Sequence, residues 1–348
     1  MKLANRRYTG AKTKLLERID RTLLSVFDYT KYQNLCFFDV FAGTGVVSEY
    51  FIQKPQFGHF ILNDFLYSNF VIYQAFFPQE MFDWQKIERI QCAFRGIEAR
   101  DLESNYYSKH FGGKFFSEND SKLMGFIRDE LDKLLESRAI CRQEFAILLA
   151  SLLYSVDRIA NTVGHYDAYR KNSTLEDRFI FELIEPIKSN AKLEIYKKDS
   201  NILSQELAKH RQHIDVAFID PPYNSRQYSR FYHLLETLTK NDKPQLYGIA
   251  LKPKPENISN YCKIQAKQSF KDLVGNLAKV SRVLVVTYNN TYNSKSGSSK
   301  NKITLEQIKN ILETIGKIHI AEIDYRAFSS GKTDFDGHKE FIFVGIVR

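Results

Sequence analysis

The sequence predicts a doubly wound α/β fold, a mostly parallel sheet that carries an inserted, mainly helical domain. Three observations lead to it. Near the amino terminus a short apolar run, Cys36-Phe37-Phe38-Asp39-Val40-Phe41, passes through Ala42-Gly43-Thr44-Gly45 into the helical spacing of Val46, Val47, Tyr50 and Phe51, and Phe60-Ile61-Leu62-Asn63-Asp64 follows. Strand, glycine turn, helix and strand in that order make a βαβ unit, which implies parallel pairing and a right-handed crossover. Strand-like runs then stop and resume only at residues 193–196, 216–219, 283–286, 318–321 and 341–344. Between residues 73 and 186 helical periodicity dominates instead, most clearly over 122–135 and 143–161. The α/β domain is therefore read as discontinuous, residues 1–75 with 190–348, around an insert at 76–189; the 348-residue length is in keeping with about two domains.

The remaining elements follow in order. Leu15, Leu16, Ile19, Leu23 and Leu24 recur at helical spacing, so residues 13–27 are an amphipathic helix. A helix is expected to run through Phe231, Leu234, Leu235 and Leu238. Lys252-Pro253-Lys254-Pro255 and the Ser/Gly/Lys/Asn-rich tract at 293–302 read as exposed loops. Thr304 and Gln307 stand at capping-box spacing, and Gly316 supplies a stop for the helix they open. The sequence has no internal repeat.

Composition narrows the class of partner. Fifty Lys and Arg against 41 Asp and Glu leave a formal charge of +9, which favours an anionic partner, nucleic acid before membrane. Aromatic residues at 14% exclude a disordered chain, and no apolar run approaches the roughly 18 residues of a membrane span. Met1-Lys2-Leu3-Ala4-Asn5-Arg6-Arg7 has no apolar stretch of the kind a secretory signal needs. Cys36, Cys92, Cys141 and Cys262 lie far apart without a C-x-x-C pair, so they read as reduced thiols in a cytoplasm, with no zinc site and no disulfide framework. His210 and His213 have no third ligand in view, and no metal is expected.

Two segments carry chemistry. Gly43-x-Gly45, between a strand and a helix, lets the backbone pass close to a ligand; Ser48 stands where a dinucleotide fingerprint would place its third glycine, which counts against a nicotinamide cofactor. Asp64, at the end of the next strand, is placed to accept hydrogen bonds from ribose hydroxyls. The second segment is Asp220-Pro221-Pro222-Tyr223, directly after the apolar strand at 216–219. Two prolines fix the backbone, so an acid and an aromatic are held at a strand's carboxyl end, where open α/β sheets bind ligands. An amino group conjugated to a nucleobase is a poor nucleophile, because its lone pair is delocalised. The Asp220 carboxylate and the Pro221 carbonyl can accept its two N–H bonds and re-aim that pair, while Tyr223 offers a stacking face worth roughly 1–3 kcal/mol per base.

On these residues the chain resembles the S-adenosylmethionine-dependent adenine-N6 DNA methyltransferases, in the Dam-like group whose target-recognition region is inserted before the DPPY motif. Arg7-Tyr8-Thr9-Gly10-Ala11-Lys12 resembles that group's amino-terminal motif, which borders the methionine end of the cofactor. Asp39 to Gly45 resembles its glycine loop, Asn63-Asp64 its ribose-binding acid, Asp199 the acid near the cofactor adenine, and Val286-Thr287-Tyr288-Asn289-Asn290 the strand-end motif that shapes the base pocket. The resemblance covers roughly 1–75 and 190–348 and implies a Rossmann-like methyltransferase core. It implies S-adenosyl-L-methionine held by Tyr8, Lys12, Asp39, Phe41, Gly43, Gly45, Asp64, Asp199 and Asp220, and a catalytic group of Asp220, Pro221, Pro222 and Tyr223.

The expected substrate is double-stranded DNA, with a flipped adenine methylated at N6 in a specific sequence, as in a prokaryotic restriction-modification methylase with a cognate endonuclease, the methylase itself a monomer or weak dimer. For the insert the expectation rests on composition. Its loops interleave aromatic and basic residues, and Tyr166, Tyr169, Arg170 and Lys171, with Arg226 and Tyr228 beyond the catalytic turn, are the candidates for DNA contact. Other basic residues considered for DNA are Arg95, Arg100, Lys109, Lys114 and Arg230. Two other readings stay open: methyl transfer to an amino group of structured RNA, and a DNA-binding module with a vestigial cofactor site.

Overall fold

The computed structural model of the chain describes residues 1–290, 300–324 and 338–348; most of the tract at 293–302 lies outside the described residues. The chain divides into two compact units, each assembled from three segments: Met1–Gly10, Leu66–Lys188 and Tyr228–Glu256 in one, Ala11–Phe65, Ser189–Gln227 and Asn257–Arg348 in the other.

The second of these is the α/β unit. Its described strands are β1 (Leu35–Asp39), β2 (Phe57–Asn63), β3 (Lys192–Tyr196), β4 (Ile214–Ile219), β5 (Ser281–Asn289), β6 (Gly316–Asp324) and β7 (Lys339–Val347). They form one sheet in the order β3-β2-β1-β4-β5-β7-β6. The first five are parallel, and β7 runs antiparallel to both β5 and β6. The doubly wound, mostly parallel sheet is thus present, and all seven strand-like runs of the sequence are strands. β1 and β4 are buried at every residue, as expected of central parallel strands covered on both faces.

Helices cover both faces of the sheet. Phe38, Val40, Ile61, Ala217, Ile219, Leu284 and Val286 pack with Leu203, Leu207, Phe270, Leu273, Leu277, Ile308 and Leu312 from helices Ser200–Lys209, Ala266–Leu277 and Leu305–Glu313. On the other face Phe37 stacks on Phe51 of helix Val46–Ile52 at 4.7 Å, and Tyr29, Phe57 and Phe60 complete an aromatic cluster. Thr304 accepts the amide of Gln307 and caps the helix it precedes, as its spacing predicts.

Two consequences of this topology set up the site. The strand order reverses between β1 and β4, and such a switch point opens a crevice at the strands' carboxyl ends. Because β7 is antiparallel, its first residues arrive at that same edge: Glu340 pairs with Asn289, the last residue of β5.

The helical unit is centred on helix Arg142–Ile159, whose residues from Ala146 to Asp157 are buried without interruption. Two of its polar side chains satisfy helix ends. The Arg128 guanidinium donates to the Leu238 and Thr239 carbonyls at 2.8 and 3.1 Å, at the end of helix His233–Lys240, where cationic donors are favourable. The Glu236 carboxylate accepts the amides of Tyr67 and Ser68 at 3.0 and 2.8 Å and satisfies the start of helix Tyr67–Phe76. The amino terminus and residues Tyr228–Glu256 also belong to this unit, which the periodicity of residues 76–189 does not reveal.

Candidate active site

β4 ends at Ile219, and Asp220 follows at its carboxyl edge with Pro221 and Pro222 behind it. Ile219 pairs with Val286, so the next residue on β5, Thr287, lies alongside and its hydroxyl donates to Asp220 Oδ1 at 2.8 Å. The Tyr223 hydroxyl lies 2.6 Å from the same oxygen and 2.8 Å from Glu340 Oε1, so one phenolic proton serves two carboxylates. Lys12, from the segment before helix Leu16–Val26, completes the group: its ammonium is 3.0 Å from Asp220 Oδ2, 3.2 Å from Glu340 Oε1 and 3.0 Å from the Tyr223 hydroxyl. The Tyr223 carbonyl accepts the Lys302 amide at 2.8 Å and the Tyr288 hydroxyl at 3.2 Å, which fixes the turn from the outside.

Lys12 and Glu340 are 6% and 2% exposed, so this is a desolvated charge group in which every charge has an opposite partner. Burial opposes the charge on Lys12, yet the Asp220 and Glu340 carboxylates outweigh it and hold the ammonium well above the usual lysine range. Burial and then the same two carboxylates push the Tyr223 phenol far up, so it stays a proton donor. Such a group can hold one carboxylate, Asp220, in one orientation at the mouth of the crevice.

Across the switch point the glycine turn begins at β1. Gly43 and Gly45 have φ of +53° and +81°, a left-handed backbone that glycine adopts without strain. Asp64 Oδ2 accepts the Gly43 amide at 2.9 Å, tying the end of β2 to the turn. Asp39, 1% exposed, accepts the Ser48 hydroxyl on Oδ2 at 2.8 Å, while Oδ1 has no hydrogen-bond partner among the described residues. Burial, opposed by the Ser48 hydroxyl and reinforced by the charges of Asp220 and Asp64, pushes the Asp39 carboxyl up to about 7. Three acids therefore converge on the crevice, one with an unsatisfied oxygen, an acceptor set suited to a cationic ligand rich in N–H and O–H groups. Among the described residues no three His, Cys, Asp or Glu side chains are grouped to hold a metal ion, and no helix is long and apolar enough to cross a membrane.

A family model for D12 class N6 adenine-specific DNA methyltransferases matches residues 8–291. The chain belongs to that class. Curated relatives agree with it. Modification methylase StsI of Streptococcus sanguinis is 29% identical over 344 residues, covering 93% of this chain and 49% of that protein. Type II methyltransferase M.FokI of Planomicrobium okeanokoites is 29% identical over 357 residues, covering 97% and 52%. Type II methyltransferase M.NlaIII of Neisseria lactamica is 27% identical over 337 residues, covering 95% of each. The chain spans about half the length of the first two.

Within this D12-class chain the other sequence-predicted residues are placed as follows. Phe41 is half-buried and meets Tyr261 edge-on at 5.0 Å. Asp199 caps helix Ser200–Lys209, accepting the amides of Asn201 and Ile202 at 2.9 and 3.2 Å. Tyr8 lies in the helical unit, stacked on Tyr232 at 4.7 Å and on Tyr228 at 5.4 Å. Lys12 belongs to the α/β unit and turns to Asp220. Arg226 is half-buried, and its carbonyl accepts the Cys262 thiol.

One DNA-contact candidate is corrected. Tyr166 is fully buried, donates its hydroxyl to Asp157 Oδ1 at 2.9 Å and packs on Phe115, so it is a core residue and presents nothing to a partner. Tyr169 rests half-buried on Phe115 at 5.2 Å, whereas Arg170 and Lys171 are exposed. Sequence reasoning missed Glu340, Ser48 as a partner of Asp39, and Thr287 as a partner of Asp220. The signal for Glu340 was a single acid at the head of the apolar run Phe341-Ile342-Phe343-Val344; for Ser48 it was a hydroxyl in the glycine's place.

Proposed function

We propose that this protein transfers the methyl group of S-adenosyl-L-methionine to the N6 amino group of adenine in double-stranded DNA, as the modification methylase of a restriction-modification system. The observation that carries the reading is the Lys12–Asp220–Tyr223–Glu340 group at the end of β4, set in a chain of the D12 class. The class to which the chain belongs, N6 adenine-specific DNA methyltransferases, supports DNA over RNA as acceptor.

Asp39, Asp64, Gly43 and Gly45 are the residues that would hold the cofactor: the unsatisfied Asp39 oxygen and the acids around it suit a donor-rich cation. Bound there, the cofactor supplies a sulfonium-activated methyl electrophile, so the protein need supply no covalent nucleophile. The protein's own task is the amine. Asp220, held by Thr287, Tyr223 and Lys12, accepts one N–H bond of the amino group and the Pro221 carbonyl the other, which turns the nitrogen lone pair out of conjugation. The Tyr223 hydroxyl is anchored inward, which fixes the ring as a platform beside the base. The target base must leave the duplex at a cost of a few kcal/mol, and the cationic balance of the chain helps offset it. The helical unit, with Arg170 and Lys171 exposed, carries target recognition in this reading, and a cognate endonuclease is the implied companion in a prokaryotic cytoplasm. Single-molecule sequencing of DNA from cells expressing the protein tests it: methylated adenines in one short motif support the reading, and unmodified adenines throughout contradict it.

A further inference from the structure

Glu340 belongs to none of the segments that carry the methyl-transfer chemistry in the sequence, yet it is buried at the heart of the site. It heads β7, opposite the last residue of β5, and its Oε1 lies 2.8 Å from the Tyr223 hydroxyl and 3.2 Å from the Lys12 ammonium. Both of those groups also contact Asp220, on different oxygens: Tyr223 on Oδ1 at 2.6 Å and Lys12 on Oδ2 at 3.0 Å. Remove Glu340, and Tyr223 and Lys12 each lose a partner in a place where water does not replace it; both then lose the constraint that sets their distance from Asp220.

We propose that Glu340 is a positioning residue for methyl transfer: acting through Tyr223 and Lys12, it fixes the orientation of the Asp220 carboxylate toward the acceptor amine. This deepens the functional reading above and rests on it. Its carboxylate gives Lys12 a second partner, so the ammonium is shared between Glu340 and Asp220 instead of being drawn fully onto Asp220. Its placement on β7, which among the described strands is the one that runs antiparallel and starts at the catalytic edge, makes the sheet's end part of the active-site geometry.

The test uses the full chain with Glu340→Asp and Glu340→Gln. Glu340→Asp keeps the charge and withdraws the oxygen by one methylene; Glu340→Gln keeps the reach and removes the charge. Turnover with cognate duplex DNA should fall about 10- to 100-fold in Glu340→Asp, the range in which a misplacement of about 1 Å acts, while the cofactor Kd and the KM for DNA stay within about twofold. Glu340→Gln should retain more activity than Glu340→Asp, since it keeps the acceptor for the Tyr223 hydroxyl. Wild-type turnover in Glu340→Asp, or a loss that lies wholly in KM or in cofactor binding, overturns the proposal. A crystal structure of Glu340→Asp decides the matter whatever the acceptor is: Asp220 and Tyr223 displaced from their wild-type positions supports it, and both unmoved overturns it. A wild-type protein that leaves adenine in DNA unmethylated would contradict the functional reading instead, and that crystal structure would still decide the role of Glu340.

Discussion

The Lys12 ammonium lies 3.0 Å from Asp220 Oδ2, so the acid that follows β4 is ion-paired inside the fold by a residue from the first turns of the chain. The amino-terminal segment is thereby part of the electrostatics around Asp220. Without the cation, two carboxylates would share one phenolic proton at 2.6 and 2.8 Å.

Lys12→Met should therefore disturb the site. Asp220 and Glu340 would face each other as buried like charges, and the Asp220 carboxylate would lose the ion pair that fixes it. Methyl transfer should fall about 100-fold, while Lys12→Arg, which keeps the cation, should retain more activity. Single-turnover kinetics on both variants checks this; near-normal turnover in Lys12→Met would show that Lys12 does not hold the site.

Tyr223→Phe and Tyr223→Ala separate the hydroxyl from the ring. The hydroxyl touches Asp220, Glu340 and Lys12, while Thr287 and Lys12 continue to hold Asp220 when it is gone. Tyr223→Phe should lose about tenfold in turnover. Tyr223→Ala, which also removes the base platform, should lose far more, with the KM for DNA rising as well. Single-turnover kinetics on both variants distinguishes the two contributions.

Asp39 sets a pH dependence of stability. Its folded carboxyl is pushed up to about 7, above the roughly 3.9 of an exposed aspartate, so the folded state holds the proton over a window where the unfolded chain has released it. The favourable contribution is complete below about pH 4 and lost as pH rises through 7. Asp39→Asn removes the dependence. Its melting temperature relative to wild type should therefore increase between pH 5 and pH 8 in scanning calorimetry without cofactor, and a constant difference would contradict the burial argument.

How much of this was open to reading follows from which interactions are local. Seven strands and the glycine turn announce themselves through runs of adjacent apolar residues and glycines, and Asp220-Pro221-Pro222-Tyr223 declares its rigidity in four letters. Glu340 and Thr287 join the site only through strand pairing, and a pairing register between β5 and β7 is not written in either strand alone. Tyr166 failed for the opposite reason. Its neighbours His165, Asp167 and Arg170 look like a polar surface loop, but its hydroxyl has a buried carboxylate partner, Asp157, in helix Arg142–Ile159, and that partner draws the ring inward.

The correction at Tyr166 divides the loop's residues by experiment. Tyr166→Ala should lower stability by about 3–5 kcal/mol, the range for deleting a buried aromatic ring. Arg170→Ala should leave the melting temperature unchanged and weaken DNA binding. If Arg170 contacts a phosphate, the slope of log K against log salt should drop by about 0.9. Thermal melts and salt-dependent binding titrations give both answers.

The central claim is that Asp220, fixed at the end of β4, activates the amino group of adenine. The most direct measurement is nucleoside mass spectrometry of duplex DNA incubated with purified protein and methyl-labelled S-adenosyl-L-methionine, for the wild type and for Asp220→Ala. The account predicts label in N6-methyladenine with the wild type and none above background with Asp220→Ala, whose melting temperature stays close to normal. Label on cytosine, or label on adenine that persists at near-normal rate in Asp220→Ala, would contradict it.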